Sequence, residues 1–347
     1  MTVQSGKVTI FDVAQHAGVS IKTVSRVINR EPNVRQTTRE RVQRAVDSLQ
    51  YRPDQSARNL ASQKSHLIAL VYDDPAAYEL PSSGYIIRMQ QGALRACRAS
   101  MKELLIHPCD FRQRNVASEL RSLINDTRLS GLVLAAPLSN MQRIVRAVQA
   151  TKTPFVRISP GKVVRGQPCV VTNDREVSSH MVDHLVELGH RRIAFIKGDP
   201  THEAVGHRYL GYLDGLARHG ITPDERLVAD GNNSFDSGQR CAKKLLNRKR
   251  RPTAIFCAND DMAAGVIRTA NRLGISVPSE LSVSGFDDII LARQLDPMLT
   301  TIRQPLGRMA EAAVSMLTGN ANGERSVFES VPGSLQLRES TGPVDPR

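Results

Sequence analysis

Adjacent carboxylates are the clearest candidates for chemistry in this sequence. Asp260 and Asp261, in the stretch CANDDMAAG, follow a short apolar run and could act in acid–base catalysis or bind a metal ion. A catalytic pair needs an activated partner, and the sequence contains no nucleophile elbow, no P-loop and no HExxH helix. We therefore predict no catalytic site and expect the protein not to be an enzyme.

Histidines and cysteines are the other candidates. His180 and His184 lie four residues apart, with His190 nearby, but the stretch HMVDH lacks the glutamate of a zinc-protease helix. The five cysteines are widely spaced and form no CxxC motif, which favours buried free thiols over zinc ligands or disulfides. They are Cys97, Cys109, Cys169, Cys241 and Cys257. We predict neither a metal nor a cofactor.

Charge indicates a different kind of partner. The chain of 347 residues has a net charge of +13, and residues 1–62 contain ten Lys and Arg against five acids. Basic side chains gain affinity for phosphates by releasing counterions, so this segment could bind nucleic acid; a merely basic surface is the alternative. No apolar run approaches the roughly 20 residues of a membrane span, and the first residues lack a signal-peptide profile. We therefore expect a cytoplasmic protein of two or three domains.

Three short helices are predicted in the first fifty residues. A capping box at residues 9–12 opens the first, Gly18 permits a tight left-handed turn, and Ser20 caps the second. A further capping box at residues 37–40 opens the third. Apolar residues at helical spacing give the three helices one small core, while the second helix carries basic side chains outward. This pattern is typical of a helix-turn-helix DNA-binding unit.

The same region closely resembles a known family. The stretches VTIFDVAQHAGVSIKTVSRVIN and TRERVQRAVDSLQYRPDQSARNLAS, within residues 8–62, resemble the headpiece and hinge of LacI/GalR-family transcriptional regulators. The resemblance implies a DNA-binding headpiece at 1–53 and a hinge helix or linker at 54–65.

That resemblance assigns the DNA contacts. Ile21, Lys22 and Arg26 would face base edges in the major groove, where Lys22 and Arg26 can donate to guanine and Ile21 can contact a thymine methyl. Hydroxyl and amide side chains would contact phosphates and set the register: Thr9, Ser20, Thr23, Ser25 and Asn29.

The hinge segment DQSARNLAS places Ala57 and Leu60 on one helical face. So short a helix is marginal alone, and we expect it to become helical on DNA. By resemblance, Leu60 would wedge into the minor groove beside Ala57 and kink the duplex. Packing of Leu60 on its own domain is the alternative.

From residue 66 onward, apolar runs alternate with amphipathic segments. The predicted strands are 67–72, 102–108, 131–136, 153–159, 192–198, 253–259 and 281–287. The predicted helices are 85–100, 114–128, 139–150, 174–188, 203–219, 236–248, 260–273 and 306–318. This alternation predicts an α/β core of parallel sheets covered on both faces, and the number of units predicts two similar lobes.

This part resembles the family's effector domain, which is similar to periplasmic sugar-binding proteins. The matching stretches include HLVELGHRRIAFIKG, PTAIFCANDDMAAG, VPSELSVSGFDD and LTTIRQP. The resemblance implies one effector-binding and dimerisation core at 66–347, whose chain crosses between lobes near residues 171, 300 and 326. Lobe 1 would comprise about 66–170 and 302–326, and lobe 2 about 171–301 and 327–340.

The resemblance also places a small-molecule effector between the lobes, beyond the carboxyl ends of the strands. In the second lobe the matching positions are Arg208, Asn259 and Asp287, whose side chains can bind the hydroxyl groups of a sugar. Asp260 is then expected to cap the following helix, and Asp288 is expected to have a similar local structural role.

In the first lobe the candidates are Asp73, Tyr85 and Ser159. Many relatives carry an acid where this chain has Ser159, in the stretch RISPG, so one strong acceptor is missing and Asp73 could compensate. The sequence has no tryptophan, so a sugar would stack on Tyr85, Tyr78 or Phe235, although an aromatic residue more often belongs to a core than to a stacking surface.

Together these features predict a sequence-specific transcriptional regulator, a repressor. We expect it to bind a pseudo-palindromic double-stranded DNA operator as a homodimer, with dimer contacts in MQQGALRACRA (89–99), and no membrane. A small-molecule effector, a sugar, would control DNA binding from the interlobe cleft. Two alternatives stay open: a transport-type sugar-binding protein and a sugar- or nucleotide-processing α/β enzyme.

Overall fold

A computed structural model describes residues 8–28, 33–51, 66–74, 77, 84–319 and 326–344. Contacts divide the chain into two units, Met1–Ser65 and His66–Arg347. The described part of the first unit is helical, whereas the second unit alternates strands and helices. Within the described residues, no helix combines the length and the apolar character needed to cross a membrane.

The first unit contains α1 (Ile10–Ala17), α2 (Ile21–Ile28) and α3 (Gln36–Ser48). Their inward faces meet in one small core around Val13, Val24 and Val42, all completely buried. Because these apolar residues recur at helical spacing, each short helix buries one face and leaves the other for solvent or a partner.

The start of α1 and the turn into α2 follow the sequence prediction. The backbone N–H of Thr9 donates to Oδ2 of Asp12 at 2.7 Å, which confirms the first capping box. Gly18 adopts the left-handed conformation with φ 59°. Oγ of Ser20 accepts a 3.2 Å hydrogen bond from the backbone N–H of Thr23, so Ser20 caps α2 as predicted.

The capping box predicted at residues 37–40 is wrong. Helix α3 begins at Gln36, one residue before Thr37, and Arg35 is its N-cap. Thr37 therefore lies inside the first turn, where its hydroxyl cannot cap the helix. Glu40 instead accepts a 2.9 Å hydrogen bond from Nε2 of Gln36, an i to i+4 side-chain pair.

The second unit contains two six-stranded sheets. Their strands are β1 (Leu67–Asp73), β2 (Glu103–Cys109), β3 (Gly131–Leu134), β4 (Phe155–Ile158), β5 (Cys169–Val171), β6 (Ile193–Lys197), β7 (Val228–Asp230), β8 (Ala254–Cys257), β9 (Ser282–Asp287), β10 (Thr300–Arg303), β11 (Phe328–Ser330) and β12 (Ser334–Gln336). The first sheet has the order β11-β5-β4-β3-β1-β2 and the second the order β12-β10-β9-β8-β6-β7. The strand pairs are parallel except for β10 and β12, which are antiparallel.

Helices cover both sheets. They are α4 (Gly84–Ala99), α5 (Val116–Thr127), α6 (Gln142–Ala150), α7 (Asp174–Glu187), α8 (Glu203–Arg218), α9 (Phe235–Leu246), α10 (Asp260–Arg272) and α11 (Leu306–Thr318). Side chains of α4 and α11 pack on one face of the first sheet and those of α5 and α6 on the other, while α7 to α10 enclose the second sheet. The predicted two-lobed α/β core is therefore confirmed.

Helices α4 and α11 pack almost backbone to backbone. A Cβ atom added to Gly92 would lie 2.1 Å from the carbonyl oxygen of Gly307, a distance that no side chain tolerates. Because α11 is far from α4 in the chain, this contact makes α11 part of the first lobe, although most of that lobe comes from earlier residues.

The crossings between lobes differ in part from those predicted. Strand β10 pairs in the second sheet and α11 packs on the first lobe, so the second crossing lies at residues 304–305 and not near 300. Strand β11 pairs in the first sheet and β12 in the second, so the third crossing lies at 331–333 and not near 326. The sequence analysis missed β5, β7, β10, β11 and β12, which have only three or four residues each. The equally short strands β3, β4 and β8 were predicted because each lies within a longer apolar run.

Candidate functional site

The outward face of α2 carries the three side chains predicted to contact bases. Ile21, Lys22 and Arg26 are all exposed, whereas Val24 and Val27 point into the core. Ile21 adds an apolar surface beside the two cations, and this combination suits a partner that offers both a methyl group and hydrogen-bond acceptors. The edge of a base pair in the major groove offers both.

Hydroxyl groups predicted to contact phosphates are partly engaged within the unit. Oγ1 of Thr9 donates to Asp12 at 2.7 Å, and the hydroxyls of Ser20 and Thr23 lie 2.9 Å apart. Ser25 is half-buried. Three further predicted contacts, Asn29, Ala57 and Leu60, lie outside the described residues, as does the segment 54–65.

A cleft in the second unit brings together all six predicted effector residues. Asp73, Tyr85 and Ser159 come from the first lobe, and Arg208, Asn259 and Asp287 from the second. The empty space is about 780 Å³, part of it open to solvent. Asp73 ends β1, Ser159 follows β4, and Asp287 ends β9, so the cleft lies at the carboxyl ends of parallel strands.

Arg208 is held rigidly at the floor of the cleft. Its Nε donates to Oδ1 of Asp174 at 2.9 Å, and its Nη1 donates to the carbonyl oxygen of Ala258 at 2.5 Å. The guanidinium carbon lies 3.7 Å from the centre of the Phe286 ring. With 5% of its surface exposed, the side chain has no freedom left to follow a ligand, so it forms a fixed wall of the site.

Asp287 is strained and incompletely bonded. Its backbone has φ 114°, a conformation that favours glycine, and its Oδ1 lies 3.5 Å from Nη1 of Arg208 without forming a hydrogen bond to the described residues. Burial raises the pKa of Asp287 to about 7, with Arg208 opposing and Asp261 and Asp174 adding to the shift. A buried acceptor without a partner is suited to a donor on a ligand.

Asn259, and not Asp260, caps α10. Oδ1 of Asn259 accepts from the backbone N–H of Met262 at 3.0 Å, and its Nδ2 donates to the carbonyl oxygen of Asn233 at 2.9 Å. Only one amide hydrogen of Asn259 therefore remains for a ligand, fewer groups than the sequence indicated. Asp260 lies inside the helix, where it accepts bonds from Thr301 and Ile289.

Asp288 has a local structural role. Its carboxylate accepts a 2.7 Å bond from Nε of Arg303 and a 2.5 Å bond from Nη2 of Arg338, and Nη2 of Arg293 lies 3.5 Å away. Burial opposes ionisation of Asp288, but the guanidinium groups of Arg303 and Arg338 hold its pKa below its ordinary value. The residue joins the end of β9 to β10 and to the chain after β12.

The first lobe contributes two acceptors of different availability. Oδ1 of Asp73 accepts a 3.0 Å bond from the backbone N–H of Phe111, which leaves its other oxygen for a ligand. Ser159 has a left-handed backbone with φ 48°, and its buried Oγ has no hydrogen-bond partner among the described residues. The Tyr85 hydroxyl is protonated at neutral pH, as an ordinary tyrosine is, and can donate to a ligand. Burial raises its pKa further, and the neighbouring Ser159 hydroxyl opposes that rise.

Sequence reasoning missed three polar residues of the cleft: His202, Asn233 and Asp261. Oδ1 of Asn233 is buried without a partner among the described residues. Burial lowers the pKa of His202 to about 4, so its imidazole is neutral at neutral pH. Asn233 follows the short strand β7, and a polar residue after a strand is a signal of a cleft residue. That signal was lost because β7 was not predicted. Apolar lining residues are Ile86, Ala136, Ala204 and Val205.

Of the other predicted stacking residues, one lies away from the cleft and one is not described. Phe235 begins α9 with 36% of its surface exposed and does not line the space. Tyr78 lies outside the described residues.

His184, on α7, and His190, which follows that helix, have separate partners. Nε2 of His184 lies 3.1 Å from Oγ1 of Thr341, and Nε2 of His190 lies 2.9 Å from Oγ of Ser282. All five cysteines are buried free thiols, as predicted.

A helix-turn-helix unit joined to a two-lobed core with a polar cleft defines the class of ligand-responsive DNA-binding regulators. Comparison with family models agrees: residues 9–54 match "Bacterial regulatory proteins, lacI family" and residues 182–341 match "Periplasmic binding protein-like domain". GalR, an HTH-type transcriptional regulator of Escherichia coli (strain K12), is 34% identical over 89% of this chain and 88% of its own.

Solved structures give the same result over nearly the full length. A lac repressor dimer bound to operator and the anti-inducer ONPF is similar with a TM-score of 0.75 and 28% identity, covering 97% of this chain and 100% of that one. A complex of the transcriptional regulator CelR with cellobiose is similar with a TM-score of 0.73 and 28% identity, covering 96% and 99%. The chain belongs to the lacI family of bacterial regulatory proteins; it is a DNA-binding transcriptional regulator and not an enzyme.

Proposed function

We propose that this regulator represses transcription by binding a pseudo-palindromic operator as a homodimer, and that a sugar-like effector in the cleft controls that binding. The proposal sets aside a transport role, because the helix-turn-helix unit belongs to the lacI family of regulators. DNA as the target also implies action in the cytoplasm.

The observation that carries the proposal is a cleft lined from both lobes by residues with buried oxygens that have no hydrogen-bond partner among the described residues. Oγ of Ser159 lies on the first lobe, and Oδ1 of Asn233 and Oδ1 of Asp287 lie on the second. A ligand with several hydroxyl groups would satisfy acceptors on both lobes at once. Such a ligand prefers the arrangement in which the lobes are closest, so its binding shifts their equilibrium.

DNA binding is proposed to use α2 in the major groove. Ile21, Lys22 and Arg26 would contact bases, and two copies are needed because one such helix covers only half of a near-palindromic site. The hinge residues Ala57 and Leu60 would contact the minor groove, with Leu60 as the wedge. Closure of the lobes around the effector would displace the paired hinges and lower the affinity of the dimer for the operator.

The test uses the full-length protein in two stages. An operator is first selected from random duplex DNA, and its affinity is measured by fluorescence anisotropy. A thermal-shift series of sugars then identifies a ligand, whose affinity is measured by isothermal titration with and without operator. Linkage requires the effector to change operator affinity by the same factor as operator changes effector affinity. Equal effector affinity in both titrations would contradict the proposal.

A further inference from the structure

We infer that the effector carries a basic nitrogen, as in an amino sugar, and that Asp261 is the side chain that recognises it. This inference rests on the effector-binding role proposed above and adds the charge of the ligand and a specificity-determining residue.

The first observation is that Asp261 lines the cleft with an uncommitted carboxylate. It lies in the first turn of α10, half-buried, and no described side chain or backbone group forms a hydrogen bond or ion pair with it. Its neighbours Asn259 and Asp260 are both occupied, one as helix cap and one by Thr301 and Ile289. The cleft thus presents a partly desolvated anion that lacks a counter-charge.

The second observation is that the cationic side chain of the cleft is already neutralised. Arg208 bonds to the buried Asp174 and lies 3.5 Å from Asp287, so its charge serves two carboxylates at once. The described lining residues include three carboxyl groups (Asp73, Asp261 and Asp287) and this one guanidinium, while Arg112 acts on Asp73 from outside the lining. Arg88, half-buried on α4, acts on Asp287 from outside the lining.

The third observation concerns the chain between β1 and α4. Residues 75–83 have the sequence PAAYELPSS, which contains an acid and no lysine or arginine. By its composition, this segment has no lysine or arginine with which to supply a counter-charge to the cleft. The imidazole of His202 is neutral at neutral pH because burial lowers its pKa to about 4.

These charges disfavour an anionic effector and favour a cationic one. A phosphate or carboxylate on the ligand would lie in a partly desolvated cleft with Asp73, Asp261 and, once it is ionised, Asp287. The N-terminal turn of α10 already holds Asp260 and Asp261. An ammonium group beside Asp261 would form a charge-assisted hydrogen bond and would also relieve the repulsion between Asp261 and Asp287. Burial raises the pKa of Asp261, as expected for an anion short of a partner.

The experiment compares charge-matched ligands on the full-length protein by isothermal titration. One set is glucose, glucosamine and glucose 6-phosphate, and a second set is the galactose equivalents. We expect one amino sugar to bind at least about tenfold more tightly than its parent sugar, equal to ~1.4 kcal/mol, and the phosphate to bind most weakly. Asp261→Asn, which keeps the shape and removes the charge, should abolish the amino-sugar preference.

Asp126→Asn is the matched control, because it removes the same charge from an exposed site on α5 outside the cleft and should leave the preference intact. Tighter binding of the phosphate or parent sugar would overturn the inference, as would failure of every amino sugar to bind, or an amino-sugar preference that survives Asp261→Asn. If a neutral or phosphorylated sugar binds and alters operator affinity, the proposed function stands while this inference fails.

Discussion

Nε of Arg208 donates a 2.9 Å hydrogen bond to Oδ1 of Asp174, and both side chains are almost completely buried. The bond joins α8 to the first residue of α7 and presents the guanidinium to the cleft in one orientation. Burial raises the pKa of Asp174, and the attraction of Arg208 opposes that rise. Asp174 is therefore a positioning residue that does not line the cleft itself.

Substitutions of Arg208 and Asp174 should distinguish a residue that binds the effector from one that positions it. Arg208→Ala should abolish the effector-induced thermal shift and lower the free energy of unfolding by about 3–5 kcal/mol, because it leaves buried carboxylates unpaired. Asp174→Asn keeps an acceptor for Nε and should reduce effector affinity less. Urea unfolding and isothermal titration measure the two effects. Arg175→Ala, which removes an exposed arginine paired with Asp214, is the control and should change neither.

Removal of a cation from α2 should lower the preference for the selected operator over random DNA more than it lowers the affinity for DNA of any sequence. Lys22→Ala should cost about 1–3 kcal/mol of preference for the selected operator over random DNA, since a base contact is lost. Arg44→Ala removes an equal charge from the exposed side of α3 and should leave that preference unchanged. Anisotropy at several salt concentrations measures both. Equal loss of discrimination in the two variants would argue against a base contact by Lys22.

The raised pKa of Asp287 predicts a pH-dependent stability difference. In the folded protein the pKa is about 7, above its ordinary value of 3.8, so the folded state holds a proton that the unfolded chain releases. The stability that this protonated group contributes is present at low pH and is lost as pH rises towards and through 7. Asp287→Asn remains neutral, so its Tm relative to the unmodified protein should rise between pH 5 and pH 8. A difference that is constant or falls with pH would contradict the assignment.

Asp260 should prove structural. Asp260→Ala would leave the hydroxyl of Thr301 and the backbone N–H of Ile289 without their acceptor, at a cost of about 1–3 kcal/mol for each buried group. Chemical denaturation measures the loss. Asp236→Ala makes the same change in the first turn of α9, where the side chain is exposed, and should cost little.

The sequence alone predicted the features that depend on local periodicity. The eight helices of the core lie within a few residues of their predicted bounds, because each buries one face at a spacing of three to four residues. Gly18 and Ser20 were identified as turn and cap, because single residue types dominate those conformations. The sequence also predicted the six proposed effector residues that line the cleft. The family resemblance indicated Arg208, Asn259, Asp287 and Ser159, and position after a strand or at a helix start indicated Asp73 and Tyr85.

Tertiary structure alone decided how those residues are used. Whether Asn259 or Asp260 caps α10 depends on Thr301 and Ile289, which reach Asp260 from elsewhere in the chain. The support of Arg208 by Asp174, the place of Asn233 in the cleft and the two displaced crossings likewise depend on contacts between distant segments. Local sequence patterns indicate which face of a helix or strand is buried. The partner of a buried polar group depends instead on how distant segments pack together. In this protein that packing leaves Asp261 in the cleft without a counter-charge among the described residues.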